Sequence, residues 1–289
     1  MPSLRADVYL TPAYPVHVPL PLPKGHPALF TESTSTLIHS ANEAIIVDPL
    51  LSPEQASSLA DWITATVPNK TLTTIYITHG HGDHWFGMGP LKQRSPSAKI
   101  VATKGTLAHM YEQIDPNPPA ASVGGAPFWQ NAFPDLTLPS KESLVDVHVL
   151  DGSDLTIDLE GHTLHAIPAG HSDTDDSTVL WVPELKLVVA GDAVYNGPFQ
   201  YLAETTTSEK QQEWIDAVKK VKALEPVAVV TGHKRPGAVD GAWVLDWTIE
   251  YVEAWGRAVK EVQGLRGGAK EMFWKMKEML PNNNGEMIL

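Results

Sequence analysis

Short apolar runs rich in β-branched residues recur along the chain, a pattern typical of buried strands. One of them, TLTTIYIT at 71–78, leads directly into His79. Turn-forming residues such as Gly, Asn and Asp lie between most of these runs. We therefore predict strands at 35–40, 44–47, 71–78, 99–103, 145–150, 155–159, 163–167, 178–182, 187–190 and 227–230.

Apolar residues at helical spacing predict amphipathic helices between the strands. The first helix is expected to begin at Ser52-Pro53, because serine is a good N-cap and proline suits the first helical position. Further helices are predicted at 106–114, 207–224, 239–263 and 269–280. This order of elements indicates an α/β fold, although periodicity alone does not distinguish a doubly wound sheet from a sandwich of two sheets with outer helices.

Two proline-rich segments interrupt the regular pattern. Residues 11–28 are expected to form an extended arm, because proline fixes φ and removes a hydrogen-bond donor. Residues 116–140 are expected to form a long loop, and loops of this length are often functional. We predict a single domain over residues 1–289, with the arm at about 11–28 and a C-terminal helical extension at about 239–280.

Composition narrows the class of protein. A chain of 289 residues, 43% of them hydrophobic, is long enough to bury a core without help from a disulfide or a metal. Any bound metal is therefore expected to serve chemistry. The chain has no cysteine, which excludes thiol nucleophiles, disulfides and thiolate metal sites.

The charge and the N-terminal sequence bear on partners and localisation. A formal net charge of −13 and the lack of a long basic cluster make nucleic acid a poor candidate ligand. Prolines interrupt the apolar residues near the N-terminus, so we expect no signal peptide. No apolar run approaches the roughly 20 residues of a membrane-spanning helix. We expect a cytoplasmic protein without a membrane partner, and a homodimer is the one macromolecular partnership that the sequence leaves open.

The most informative segment is Thr78-His79-Gly80-His81-Gly82-Asp83-His84, directly after a buried strand. Three imidazoles and a carboxylate lie within six residues, and the two glycines permit a sharp turn. Neutral imidazole and carboxylate suit zinc, manganese, iron or cobalt. A polar turn of exposed histidines would rarely concentrate ligands to this degree, so a metal site is predicted.

Three later segments share one pattern, an apolar strand followed by glycine and then one potential ligand. They are Gly170-His171, Gly191-Asp192 and Gly232-His233. Each is weak alone, because such residues are common in turns. Their succession after the histidine-rich loop makes them candidates to complete the site.

In the order of these motifs the chain resembles the metallo-β-lactamase superfamily, over about residues 32–235. The resemblance implies an αββα sandwich of two mixed β-sheets with outer helices and a two-metal cleft at one edge. It implies one metal held by His79, His81 and His171, and a second held by Asp83, His84 and His233, with Asp192 bridging both. Asp48 matches an aspartate that supports a ligand histidine.

Such a site implies hydrolysis of an activated acyl bond. Two divalent ions, with zinc expected and iron or manganese as alternatives, would share a hydroxide that is nucleophilic at neutral pH. Asp83 would orient this hydroxide and carry a proton to the leaving group. The substrate is expected to be a small molecule.

The segment Gly191-Asp192-Ala193-Val194-Tyr195 is similar to the N-acyl homoserine lactone lactonase pattern, in which a tyrosine three residues after the bridging aspartate faces the substrate carbonyl. A small, partly apolar lactone is therefore the first substrate prediction, unless Tyr195 only packs beneath the cleft. Hydrolysis of a lactam or cyclic carbamate, hydrolysis of a thioester as in glyoxalase II, and oxidation of a persulfide by a single iron remain alternatives. Aromatic residues of the 116–140 loop are candidate pocket walls: Phe128, Trp129 and Phe133.

Overall fold

The computed structural model describes residues 3–17, 28–118, 124–151, 155–262 and 268–280. Its strands are β1 (Arg5–Leu10), β2 (Tyr14–Pro15), β3 (Leu29–Phe30), β4 (Thr34–His39), β5 (Glu43–Val47), β6 (Thr71–Tyr76), β7 (Lys99–Thr103), β8 (His148–Leu150), β9 (Thr156–Leu159), β10 (His162–Gly170), β11 (Ser177–Val182), β12 (Leu187–Val189) and β13 (Ala228–Val230). Its helices are α1 (Pro53–Thr66), α2 (Met88–Arg94), α3 (Lys104–Gln113), α4 (Ala126–Ala132), α5 (Ser208–Lys222), α6 (Trp243–Val262) and α7 (Ala269–Met279).

The strands form two larger mixed sheets. The first has six strands in the order β1-β4-β5-β6-β7-β8, and the second has five in the order β13-β12-β11-β10-β9. Strands β5 to β8 run parallel to one another, while β1, β4 and β5 pair antiparallel. In the second sheet β12 and β13 pair in parallel, and the other described neighbours pair antiparallel. β2 and β3 form a separate short ribbon.

Three apolar layers hold the sheets and helices together. In β5, Ala44 and Ile46 face the layer that contains α1, α2 and α3, whereas Ile45 and Val47 face the second sheet. Successive side chains of a strand point to opposite faces, so the continuous run in β5 is buried on both sides. Val188 of β12 packs against α5, α6 and α7 in the same way. The four layers confirm the αββα sandwich.

The segment at 116–140 differs from the predicted loop. It contains α4, whose second residue is a proline at a position that tolerates the missing N–H. Trp129 of α4 is buried against the first sheet's helical layer. Residues 119–123 of the segment and 18–27 of the proline-rich arm lie outside the described residues. The C-terminal extension is helical as predicted, in α6 and α7.

Within the described ranges, no helix is both long and apolar enough to cross a bilayer.

Candidate metal centre

The predicted ligands follow strand ends that meet at one edge of the sandwich. The turn after β6 carries the histidine-rich loop, and the turns after β12 and β13 carry Asp192 and His233. β12 and β13 are parallel, so their carboxyl ends lie side by side. The Thr178 hydroxyl donates to the Thr78 carbonyl at 2.6 Å and links β11 to the end of β6.

Two glycines permit the close approach of these turns. Gly191 has a φ of 50°, in the left-handed region that favours glycine. At Gly232, a β-carbon would collide with Oδ1 of Asp192. The backbone N–H of Gly232 donates to the Gly191 carbonyl at 2.7 Å, which ties the two turns together.

Three histidines each have one ring nitrogen anchored away from the centre and the other facing it. Nδ1 of His79 lies 2.9 Å from the Thr78 hydroxyl, and Nδ1 of His84 lies 3.0 Å from Asp48 Oδ2. Nδ1 of His233 donates to the Glu32 carbonyl at 2.9 Å. Anchoring of this kind fixes the ring orientation that a metal ligand requires.

His81 is oriented in the opposite sense. Its Nε2 lies 3.1 Å from Glu204 Oε1, and its Nδ1 faces the centre 2.7 Å from Asp173 Oδ2. Glu204 also accepts a hydrogen bond from the Thr174 hydroxyl at 2.7 Å. Glu204 thus anchors the outer nitrogen of His81 as Asp48 anchors that of His84.

The carboxylates Asp83 and Asp192 face the inner imidazole nitrogens. His84 Nε2 lies 3.3 Å from Asp83 Oδ2 and 3.2 Å from Asp192 Oδ1. His233 Nε2 lies 3.2 Å from Asp83 Oδ2 and 3.2 Å from Asp192 Oδ2. Asp192 therefore contacts both histidines through different oxygens.

These distances suit ligands of a shared metal ion. Atoms bound at about 2.1 Å to one ion lie about 3.0 to 3.4 Å apart in octahedral or tetrahedral geometry. Several of the inward-facing atoms are buried without a hydrogen-bond partner among the described residues: His79 Nε2, Asp83 Oδ2, His84 Nε2, Asp173 Oδ2 and Asp192 Oδ1. Buried polar atoms without partners are costly, and a bound cation would satisfy them.

The buried carboxylates of the centre also favour the binding of a cation. Burial disfavours the charged imidazole of His233, but Asp192 and Asp83 outweigh burial and raise its pKa to about 10. Burial is outweighed in the same way at His84, whose pKa lies well above its usual value. Protons on these rings therefore balance the carboxylates when no metal does, and a metal would replace those protons.

The structure places His171 differently from the sequence-based expectation. Its Nδ1 lies 2.8 Å from Asp175 Oδ1 and its Nε2 lies 3.0 Å from the Thr205 hydroxyl, so both ring nitrogens have partners outside the centre. Gly170, with a φ of 97°, turns the chain at the end of β10. Two residues after His171, Asp173 is the side chain that faces His79 and His81.

Asp48 and Tyr195 lie beside the centre. Besides its contact with His84, Asp48 accepts hydrogen bonds from the backbone N–H of Thr78 at 2.9 Å and from its hydroxyl at 2.7 Å. The Tyr195 hydroxyl donates to Asp192 Oδ2 at 2.6 Å. The Tyr195 ring is fully buried and stacks on His233 with 5.6 Å between ring centroids.

A pocket opens onto the centre and is partly aromatic. Asp83, Asp192 and His233 line its floor, while Phe128 and Trp129 are among its walls. Phe133 lies behind this wall, stacked on Trp129 at 6.1 Å between ring centroids. Further lining residues are Phe30, His81, Gln113, Gly124, Tyr195, Tyr201 and Glu204.

Three side chains around His81 were not selected from the sequence: Asp173, Tyr201 and Glu204. Asp173 is one of three aspartates within residues 173–176, and that density of carboxylates is the signal that could have indicated it. Tyr201 packs edge-on against His81 at 5.3 Å between ring centroids. No motif marks Tyr201 or Glu204, because their segment between β12 and α5 has no regular pattern.

Comparisons with known proteins agree with this architecture. The chain covers 99% of a metallo-beta-lactamase from Pontibacter korlensis, with 87% of its own length aligned, 16% identity and a TM-score of 0.56. For the metallo-beta-lactamase FIM-1 from Pseudomonas aeruginosa, in its mono-zinc form, 86% of this chain and 91% of that chain align, with 17% identity and a TM-score of 0.56. For a metallo-beta-lactamase from Hirschia baltica, 86% of this chain and 93% of that chain align, with 16% identity and a TM-score of 0.55.

These solved structures share the fold at low identity. No sequence among the curated proteins matches the chain significantly. Residues 29–233, well over half of the chain, match the family described as the Metallo-beta-lactamase superfamily, whose members are typically metal-dependent hydrolases. The chain therefore belongs to the metallo-beta-lactamase superfamily.

Proposed function

We propose that this protein is a dinuclear metal-dependent hydrolase that attacks a carbonyl group. The observation that carries the proposal is a pair of adjoining clusters of possible metal ligands, one of His79, His81 and Asp173 and the other of Asp83, His84 and His233. Asp192 contacts both histidines of the second cluster, and the ring centroid of His84 lies 4.2 Å from that of His79 in the first, so Asp192 is proposed to bridge the two ions. Zinc is the expected metal, since it is the ion that imidazole and carboxylate ligands of this family most commonly hold, with iron or manganese as alternatives.

The metal ions, Asp83 and the aromatic walls would have different roles in the reaction. When bound, the two metal ions would lower the pKa of a coordinated water and polarise the substrate carbonyl. Asp83 lines both the centre and the pocket, so its carboxylate is placed to accept a proton from the attacking water and deliver it to the leaving group. The aromatic walls exclude bulk water from the same space.

The pocket supports a small, partly apolar substrate, and we propose a lactone. Phe30, Phe128 and Trp129 supply apolar surface, and Tyr195 is the only phenol that donates directly to Asp192 among the described contacts. A phenol at this place would donate to the leaving alkoxide of a lactone if it released Asp192. Lactams, cyclic carbamates and thioesters present a carbonyl to the same centre and are the alternatives to test.

A substrate panel tests the proposal. The protein loaded with zinc is assayed for proton release on matched lactone, lactam and thioester substrates, and a chelated sample serves as the control. We expect chelator-sensitive turnover that is highest on lactones. Turnover on another class alone would retain the hydrolase and reject the lactonase. Silence on all three would reject the hydrolase and direct attention to iron content and oxygen uptake with a persulfide.

A variant pair links the activity to the centre. Asp192→Asn should lose bound metal and turnover together, because its carboxylate contacts the ligand histidines His84 and His233 and is proposed to bridge the two ions. The matched control is Asp216→Asn, on the exposed face of α5, which removes one carboxylate that pairs with Lys219. Full turnover of Asp192→Asn with normal metal content would contradict the bridging role.

A further inference from the structure

Asp173 is built into the centre as a ligand would be. Its side chain is fully buried, and its Oδ1 accepts a hydrogen bond from the Ser172 hydroxyl at 3.0 Å. Its Oδ2 lies 2.7 Å from His81 Nδ1 and 3.6 Å from His79 Nε2. Oδ2 nevertheless makes no well-formed hydrogen bond within the described part of the chain. One oxygen is thus held by the protein and the other is directed at two imidazole nitrogens.

The surrounding loop fixes this orientation. The Thr205 hydroxyl donates to the Ser172 carbonyl at 3.0 Å, and the Thr174 hydroxyl donates to Glu204. Glu204 in turn contacts the outer nitrogen of His81. The residues on either side of Asp173 are therefore tied to the same groups that position its neighbour His81.

Both ring nitrogens of His171 have hydrogen-bond partners outside the metal centre. Asp175 and Thr205 occupy its two ring nitrogens, and the Lys210 ammonium lies 3.5 Å from Nδ1. Lys210 also forms an ion pair with Asp175. A metal at His171 would have to displace one of these partners and would lie beside a lysine charge, which opposes cation binding.

We infer that Asp173, and not His171, is the third protein ligand of the metal ion held by His79 and His81. The ligands of each ion are called a half-site. Both half-sites then have the same composition, two imidazoles and one carboxylate, with Asp192 between them. Relative to a site of three imidazoles, this donor set is harder and shifts metal preference towards manganese and iron. This inference rests on the proposed dinuclear centre and names one ligand and one metal preference within it.

Metal stoichiometry of the full-length protein tests the ligand. Purified protein is saturated with zinc, freed of excess metal and analysed by inductively coupled plasma mass spectrometry. We expect about two ions per chain for the wild type and about one for Asp173→Asn. His171→Asn should keep both ions, and so should Asp175→Asn, the matched loss of a nearby half-buried carboxylate. The ion retained by Asp173→Asn would show that the variant is folded.

Loss of an ion from the His171 variant, and not from the Asp173 variant, would identify His171 as the ligand. If His171→Asn loses one ion while Asp173→Asn keeps two, the inference is overturned and the dinuclear hydrolase stands. If the wild type binds no divalent metal at all, the inference and the proposed function fail together. The two failures are therefore distinguishable from the same measurement.

A second variant tests the predicted preference for manganese and iron over zinc, and it replaces the ligand instead of removing it. Asp173→His offers three imidazoles to the half-site and should still bind two ions. Competition between manganese and zinc should show its zinc-over-manganese preference rising by roughly tenfold or more over the wild type. An unchanged preference would overturn the role of Asp173 as a ligand.

Discussion

Tyr195 illustrates how one side chain can serve both the centre and the pocket. Its hydroxyl donates to Asp192 Oδ2, and its ring lies on His233. Burial raises the pKa of Tyr195 well above its usual value, and the negative charge of Asp192 raises it further. The phenol therefore remains protonated at physiological pH and can act only as a hydrogen-bond donor to Asp192 or to substrate.

The variant Tyr195→Phe should lower turnover several-fold while both metals stay bound, because the ligand atoms of Asp192 remain in place and one donor is lost. Steady-state kinetics on the substrate found active, together with metal analysis, measures both effects. Tyr76→Phe is the matched control, since it removes another buried hydroxyl, one that bonds Thr178 at 2.7 Å. Each variant should lose about 1 kcal/mol of stability. Unchanged turnover in Tyr195→Phe would leave Tyr195 as a packing residue.

Glu204 supports His81 from outside the centre. Burial would raise its pKa, but hydrogen bonding to His81 and the charge of that ring lower it, so Glu204 is ionised. Glu204→Gln keeps the size of the side chain and removes this charge. We expect the affinity of the His79–His81 half-site for metal to fall about 10- to 100-fold, as for other outer partners of ligand histidines.

Metal release to a competing chelator measures the effect of Glu204→Gln. Glu213→Gln is the control, because Glu213 lies on the exposed side of α5 and pairs with Lys210. Equal partition of the metal between chelator and protein for wild type and Glu204→Gln would show that Glu204 does not hold His81 in its binding orientation.

At the residue scale the sequence predicted the histidine-rich turn of the centre but did not single out Asp173. His79, His81, Asp83 and His84 share one short turn, so the chain itself brings them close. In the turn after β10 the spacing leaves several ligand-type residues, from 171 to 176, as candidates. Which of them faces inward depends on the backbone turn at Gly170 and on partners such as Thr205, which are remote in sequence.

At the scale of elements, the buried strands were predictable, whereas β1 and α4 were not. The run at 44–47 is apolar on both faces and corresponds to β5. β1 has residues that are only half-buried at the edge of its sheet, so its apolar signal is weak. α4 is short and contains a proline within a proline- and glycine-rich segment, a composition that favours loops.

The turn after β13 gives a test of how these elements position the centre. A methyl group at Gly232 would meet the Asp192 carboxylate, so Gly232→Ala should push Asp192 away from the ligand histidines. We expect Gly232→Ala to fold with weakened metal binding and turnover reduced at least tenfold. Gly89→Ala is the matched control, because a methyl group there meets nothing within 4 Å and the position lies in α2.

Metal titration by calorimetry and turnover at saturating metal measure the effect of Gly232→Ala. Gly89→Ala should bind metal normally and gain slightly in stability, since alanine is the better helix former. Normal metal affinity in Gly232→Ala would mean that the two turns move apart freely and that their close packing does not position Asp192.

For the whole molecule, binding of metal and binding of protons are competing ways to balance the charge of the centre. Burial would raise the pKa of Asp192, but His233 and His84 lower it well below its usual value. The carboxylates are therefore ionised, and the metal-free protein holds protons on the imidazoles instead. Zinc uptake at pH 7 should release protons, so that calorimetric binding enthalpies depend on the ionisation enthalpy of the buffer. Enthalpies independent of the buffer would contradict this competition.

The same competition makes the stability of the metal-free protein depend on pH. His233 has a folded-state pKa of about 10 against 6.5 for an ordinary histidine, so the folded protein holds its proton more tightly than the unfolded chain does. The stability gained from this proton is fully present below pH 6.5 and is lost as the pH rises towards 10. His81 and His84, whose pKa values are also raised, act in the same direction.

We therefore expect the melting temperature of chelated protein to fall by several degrees between pH 6.5 and 10, since 1 kcal/mol corresponds to about 2–4 °C in a domain of 150–250 residues. Zinc-loaded protein should keep its melting temperature over this range, because metal and not protons then balances Asp83 and Asp192. Differential scanning calorimetry of both forms in the same buffers measures the difference. Both forms carry the same titrating groups outside the centre, so the difference between their pH profiles reports on the centre alone. Parallel profiles would show that the imidazoles of the centre do not hold the protons that their surroundings favour.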